Sequence, residues 1–215
     1  MELIAGFVDL IVHLDRHLME LVASYGGWVY AILFVIVFCE TGLVVTPFLP
    51  GDSLLFVAGT IAGAGSLEVH SLAVLLIVAA AAGDSVNYAV GHYIGPKVFK
   101  YEDSWFFRQA YLEKTHRYFE RYGGRTIIIA RFVPIVRTYA PFVAGIGGMD
   151  YARFLFFNVS GAAIWVVLLT YAGYFFGDLP LVKNNLSLVI IGIILISISP
   201  GIVELLRHRF RRSAP

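Results

Sequence analysis

The sequence predicts an all-α integral membrane protein: an inverted repeat with two re-entrant helical hairpins, about three full spans and amphipathic surface helices. Three observations predict it. Of 215 residues, 59% are hydrophobic and only 14% charged, with a mean hydropathy of +0.78, whereas a soluble domain carries about 25% charge. The charge is uneven, absent from whole stretches and bunched in others, which is a membrane signature. Two apolar stretches are interrupted by prolines beside acids or arginines. The net charge of +1 gives no reason to invoke nucleic acid, because topology explains the basic residues. The lone cysteine, Cys39, excludes an intramolecular disulfide and reads as a core thiol. A basic n-region and a clean cleavage site are both missing from the start, so no cleavable signal peptide is expected.

Residues 3–22 place Phe7, Leu10, Ile11, Leu14, Leu18 and Leu21 on one helical face, with acids and histidines mostly elsewhere. This predicts an amphipathic helix on the membrane surface, ended by Tyr25-Gly26-Gly27. Residues 28–39 are uniformly apolar but cover only about half of a ~30 Å hydrocarbon core. Glu40 to Asp52 follows, with Pro47, Pro50, Gly42 and Gly51, and then a second apolar arm from Leu54 to Ala64. Prolines and glycines break the helix there, and broken backbone at membrane depth must be buried in protein or line a wet cavity. Residues 28–64 therefore form a re-entrant hairpin, or residues 27–49 form one kinked span; the pattern leaves both open.

Residues 69–96 form a full span whose second half is small and polar. Asp84 and Asn87 share a face that should point into the bundle, Tyr88 follows, and Gly91 and Gly95 form a step for close helix packing. Residues 97–125 hold seven Lys and Arg, with Tyr111, Thr115, Tyr118 and Tyr122 on one face. A cytoplasmic surface segment is expected there. Residues 126–149 are a second interrupted apolar stretch, containing Arg131, Pro134, Arg137 and Pro141. Spans are expected over 154–177 and 186–206, with a basic cytoplasmic tail at 207–215.

The positive-inside rule puts both basic clusters in the cytoplasm. An even number of crossings must separate them, and the spans 154–177 and 186–206 already supply two. Residues 126–149 therefore dip in and return, or lie at the interface; their apolar content and central prolines favour a re-entrant hairpin. The first half then reads as the same device inverted. Interrupted segments at corresponding places in two inverted halves point to a transport site near the midplane.

A charge at membrane depth costs about 2.5–3.5 kcal/mol on insertion scales. Pairing would relieve it, with Glu40 or Asp52 from one tip meeting Arg131 or Arg137 from the other. The plainest role for such pairs is static support of the hairpins. The functional one has carboxylates exchanging protons while arginines, whose planar fork makes bidentate bonds, hold a phosphate. Catalysis is not expected. The six histidines are scattered, and neither a His-Glu-x-x-His zinc motif nor a Gly-x-Ser-x-Gly elbow occurs. No metal or cofactor is expected. Trp28, Trp105 and Trp165 read as interface anchors or packing.

The stretch from Phe38 through Glu40-Thr-Gly42, Pro47 and Pro50-Gly51-Asp52 to Leu54 resembles the first signature of the DedA family, within the SNARE-associated or VTT superfamily. Gly83-Asp84 with Tyr88 and Gly91, and Arg131-Phe-Val-Pro134-Ile-Val-Arg137 running on to Pro141 and Gly145, resemble its other two. The resemblance implies a bacterial inner-membrane, multi-pass protein with its C-terminus in the cytoplasm, from a superfamily of lipid scramblases and transporters with two re-entrant hairpins. It implies that Glu40, Asp52, Arg131 and Arg137 are the required membrane-embedded charges. It further implies a flippase returning undecaprenyl phosphate or a related anionic lipid phosphate across the membrane, with dependence on protons. A proton-coupled exporter of small solutes or cations is the alternative, and a factor that only bends the bilayer is a third. Oligomeric state is left open.

Overall fold

A computed structural model describes residues 14–43, 51–94, 122–183, 185–193 and 195, and every regular element among them is helical. Several predicted features lie outside the described residues: the start of the surface helix, the tip 44–50 with Pro47 and Pro50, Gly95, most of the basic segment, and the end of the last span with its tail. Helix α1 (Leu14–Tyr25) is the described part of the segment expected as a surface helix. It buries Leu18, exposes Met19, and stops at Gly26, whose φ of +50° suits glycine. Then come α2 (Trp28–Gly42) and α3 (Gly51–Gly63), at 15 and 13 residues too short to cross a bilayer.

Among the described residues, two helices are long enough to cross: α4 (Val69–Ile94) and α7 (Tyr151–Phe176), each of 26 residues and so about 39 Å long. Helix α7 begins three residues before the predicted span, because Asp150 accepts the Arg153 backbone N–H as a cap. Between them lie α5 (Thr126–Ala130) and α6 (Pro134–Ile146), with Pro134 in the first turn of α6, where its missing N–H costs nothing. A short α8 (Pro180–Lys183) and a helical stretch over 186–193 follow. Val74, Val78, Ile164 and Leu168 face outward, as lipid-facing positions do.

Side-chain contacts fix how these helices run. Helices α4 and α7 are antiparallel, since His70 meets Tyr171, Asn158 meets Ala81, and Tyr88 meets Phe154. Helix α2 runs parallel to α4: Tyr30 bonds the Glu68 amide near one end, and Thr41 reaches Ala80 at mid-length. Helix α3 runs parallel to α7, from Asp52 beside Trp165 to Gly63 against Tyr174. The two arms of the first apolar stretch therefore run in opposite directions, with their junction at mid-height of the long helices. In the second stretch, α5 follows α7 and α6 follows α4, from Gly124 at Phe157 up to Arg131 at Gly161, and back down through Thr138 at Asn87 to Phe142 at Gly91. Its junction also falls at mid-height, approached from the opposite end.

The same four residue types recur at two of the seams between short and long helices. Phe56-Val-Ala-Gly59 of α3 packs on α7, and Phe142-Val-Ala-Gly145 of α6 packs on α4. A Cβ on Gly59 would overlap the Thr170 carbonyl, and one on Gly173 the Phe56 carbonyl; Gly145 and Gly91 stand in the same relation to Tyr88 and Phe142. Without side chains at these crossings the backbones come close enough for dispersion to act where hydrophobicity cannot.

Candidate functional site

Helix ends at the two mid-height junctions bring charges together. Glu40 lies in the last turn of α2 and Asp52 in the first turn of α3, where the helix dipole favours an acid. Gly51 lets these two ends close up, because the Glu40 carboxylate occupies the space a side chain there would need. Arg137, in the first turns of α6, reaches across from the other helix pair. Its Nη2 donates to Glu40 Oε1 at 2.5 Å and its Nη1 to Asp52 Oδ1 at 3.1 Å. One guanidinium thus ties both α2 and α3 to α6.

Arg131 does something different. It caps the C-terminal end of α5, and its Nη2 donates to Asp84 Oδ2 and, at 2.6 Å, to Asn158 Oδ1. Asn158 in turn donates through Nδ2 to the Ala81 carbonyl at 2.9 Å, spanning α7 and α4. Arg131, Asp84 and Glu40 are each no more than 4% exposed. Both arginines lie against Trp165, with Cζ 5.8 Å from its ring for Arg131 and 5.1 Å for Arg137. The Trp165 Nε1–H donates to Asp52 Oδ1 at 2.8 Å.

The sequence-predicted pairing is therefore half of what forms. Glu40 and Asp52 do meet an arginine from the other tip, but both meet Arg137. Arg131 pairs instead with Asp84, which had been given only a supporting place. Trp165 is no interface anchor: it is 1% exposed at the centre of the bundle. Trp28, at the start of α2, is 74% exposed. Asn158 was not singled out; a lone amide amid the apolar side chains of a long span was the available signal.

The remaining supporting residues shape the frame. Asn87 is fully buried, and its Nδ2 donates to the Thr138 carbonyl at 2.9 Å and the Thr41 carbonyl at 3.5 Å, stapling α6 and α2 onto α4. The Tyr88 hydroxyl donates to the Met149 carbonyl, and its ring stacks on Phe154 at 4.5 Å. Pro141 sits buried inside α6, where its ring withholds the N–H that would bond the Arg137 carbonyl one turn earlier.

Three carboxylates and two guanidiniums, drawn from both short-helix pairs and the long helix α4, thus share one buried site, to which α7 adds the neutral Asn158 and Trp165. Neither arginine is spare, and the acids outnumber them. Such a site can exchange a carboxylate for an external anion, or take up a proton or cation, at the cost of opening a paired contact.

Comparison with known proteins identifies the family. Residues 49–175 match the VTT domain. The chain is 60% identical over 211 residues to Protein DedA of Escherichia coli (strain K12), covering 97% of this chain and 96% of that protein. It is 43% identical over 194 residues to an uncharacterized membrane protein of Mycobacterium tuberculosis (strain ATCC 25618 / H37Rv), covering 89% and 85%. It is 38% identical over 156 residues to the inner membrane protein YqjA of Escherichia coli (strain K12), covering 72% and 70%. No solved structure matches. With its charged signatures assembled in one place and its likeness to DedA running nearly end to end, the chain belongs to the DedA family of VTT-domain membrane proteins.

Proposed function

We propose that this protein moves a lipid phosphate, undecaprenyl phosphate or a related polyprenyl phosphate, between membrane leaflets with the help of protons. The observation that carries the reading is the gathering of Glu40, Asp52, Asp84, Arg131 and Arg137 at the mid-height junctions of two opposed helix pairs. In this reading the helix pairs are re-entrant hairpins of an inverted repeat, entering from opposite sides of the bacterial inner membrane. The opposite running of α2 and α3, the mid-height stop of both pairs and the repeated Phe-Val-Ala-Gly seam support it. Substrate sites of inverted-repeat transporters lie at such interrupted helices near the midplane.

The mechanism follows from the pairs. Both arginines are engaged with carboxylates, so the site stays shut until one of these ties lets go. Protonating Glu40 or Asp52 releases the Arg137 tie between the hairpins and opens the site to an anionic headgroup. The headgroup then passes between the tips while its tail stays in lipid. The protein's role is binding and change of access, and no bond is made or broken.

Reconstitution in liposomes with undecaprenyl phosphate in one leaflet tests this. We expect protein-dependent transfer that an Arg137→Ala substitution reduces strongly; transfer unchanged by that substitution sinks the phosphate role. The excess of acids over arginines favours a second reading, proton-coupled export of a small solute or cation. Proton-coupled uptake into vesicles free of added lipid phosphate would select it.

A further inference from the structure

Chemically alike, Arg131 and Arg137 are not alike in their surroundings. Arg137 spends both terminal nitrogens on the first hairpin, one on each arm, and its side chain retains 11% exposure. Arg131 makes both of its hydrogen bonds through Nη2 alone. Its Nε and Nη1 are buried with no acceptor among the described residues. Buried donors left without an acceptor are expensive and rare, and those in functional sites are there to be used.

The surroundings of Arg131 pack closely on those donors without supplying an acceptor. Gly161 of α7 faces its Nε edge: a Cβ there would sit 3.2 Å from both Cδ and Nε. Any other residue at 161 would crowd the edge. On the Nη2 side, Asn158 supplies a neutral amide oxygen, so Arg131 is matched by one carboxylate, Asp84, rather than two. Trp165 lies against the guanidinium and holds it without consuming a donor.

We propose that the two arginines divide the work: Arg131, positioned by Asn158 and Trp165 and left without an acceptor on its Nε edge beside Gly161, recognises the phosphate, whereas Arg137 is the clasp that holds the hairpins shut. This rests on the lipid-phosphate reading and assigns its parts. A phosphate oxygen accepts from Nε and Nη1 while Asp84 remains on Nη2. Opening the clasp, by loss of Glu40 or Asp52 from Arg137, exposes that edge. Asn158 and Gly161 are then selective for an anion, since a carboxylate at 158 would cancel the charge that an incoming phosphate meets.

The test is equilibrium binding of labelled undecaprenyl phosphate to the full chain in phosphatidylethanolamine–phosphatidylglycerol nanodiscs, run beside translocation in liposomes. Asn158→Asp keeps the shape and adds a carboxylate, and Gly161→Ala adds one methyl. Because Arg131→Gln alone strands Asp84, it is paired with Asp84→Asn. Each of the three should weaken binding by about tenfold or more, as loss of a charged hydrogen bond does. The clasp variant, Arg137→Gln with Glu40→Gln and Asp52→Asn, should bind within about threefold of wild type yet lose directional transfer. Inorganic phosphate as competitor separates headgroup from tail: displacement shows that phosphate suffices, and its failure shows that the tail is part of the ligand, with Arg131 reading the anion in either case. Loss of binding in the clasp variant with retention in the Arg131 variants overturns the division and leaves the flippase reading standing. No saturable binding by wild-type protein overturns both.

Discussion

Trp165 donates its indole N–H to Asp52 while both arginines of the site rest against its ring. One side chain on a long helix thus touches the start of α3, the end of α5 and the start of α6. An indole suits the place because its face attracts cations and its edge offers one donor. Phenylalanine keeps the face and loses the donor. Trp165→Phe should therefore fold, lose about 1.5–3 kcal/mol of stability from the missing charge-assisted hydrogen bond, and slow lipid transfer. Thermal unfolding in detergent and the liposome assay check the two halves of that expectation.

The seams between short and long helices make a separate prediction. A methyl on Gly91 or Gly173 has no space, because the Phe142 and Phe56 carbonyls already occupy it. Gly91→Ala and Gly173→Ala should each cost about 1–3 kcal/mol as α6 or α3 is pushed off its partner. Gly192, with nothing near its Cβ position, is the control. Gly192→Ala should be neutral or slightly stabilising, since alanine favours the helix by up to about 1 kcal/mol. Melting temperatures of the three variants, measured side by side, decide it.

How far the sequence could reach is set by what each residue shows on its own. Glu40, Asp52, Arg131 and Arg137 stand out because a charge in an apolar stretch is costly wherever its partner lies. The even-crossing argument could turn the second stretch back on itself from charge placement alone, and α5 and α6 run in opposite directions. Who pairs with whom was not legible. Asp84 looks the same in sequence whether it bonds a neighbouring helix or an arginine of the site, and the choice is made by α5 delivering Arg131 to Gly161. Trp165 carries no charge, so nothing marked its inward face, and the lone amide of Asn158 was a weaker mark than a charge. The Phe-Val-Ala-Gly repeat was legible as letters, but its meaning lay in the carbonyls it packs against.

The pair Arg131–Asp84 yields a sharp contrast between single and double variants. Both side chains are at most 4% exposed. Removing one partner of a buried pair leaves an uncompensated charge and costs about 3–5 kcal/mol. Arg131→Gln and Asp84→Asn should each destabilise by about that amount. The double variant should recover much of the loss, since two neutral amides of similar size can bond each other. A double-mutant cycle from thermal or denaturant unfolding measures the coupling; additive losses would show that the two do not act as a pair.

At the far end of α4 a carboxylate sets a pH dependence outside the spanning helices. Glu68 accepts hydrogen bonds from Ser71 and from the His70 backbone N–H, capping the helix start, while its own amide donates to the Tyr30 hydroxyl at 2.8 Å. The bonds from Ser71, then that from His70, hold its carboxyl down at about 2, against an ordinary 4.5. The folded state therefore binds the proton less readily than the unfolded chain. The stabilisation is complete above about 4.5 and fades as the pH falls toward 2. Solvent reaches the group freely, so salt should weaken the effect. Glu68→Gln keeps an acceptor but removes the charge at the positive end of the helix. Its melting temperature should fall below that of wild type at pH 7, and the gap should narrow when both are melted at pH 3. An equal gap at the two pH values would place the benefit of Glu68 in its shape rather than in its charge.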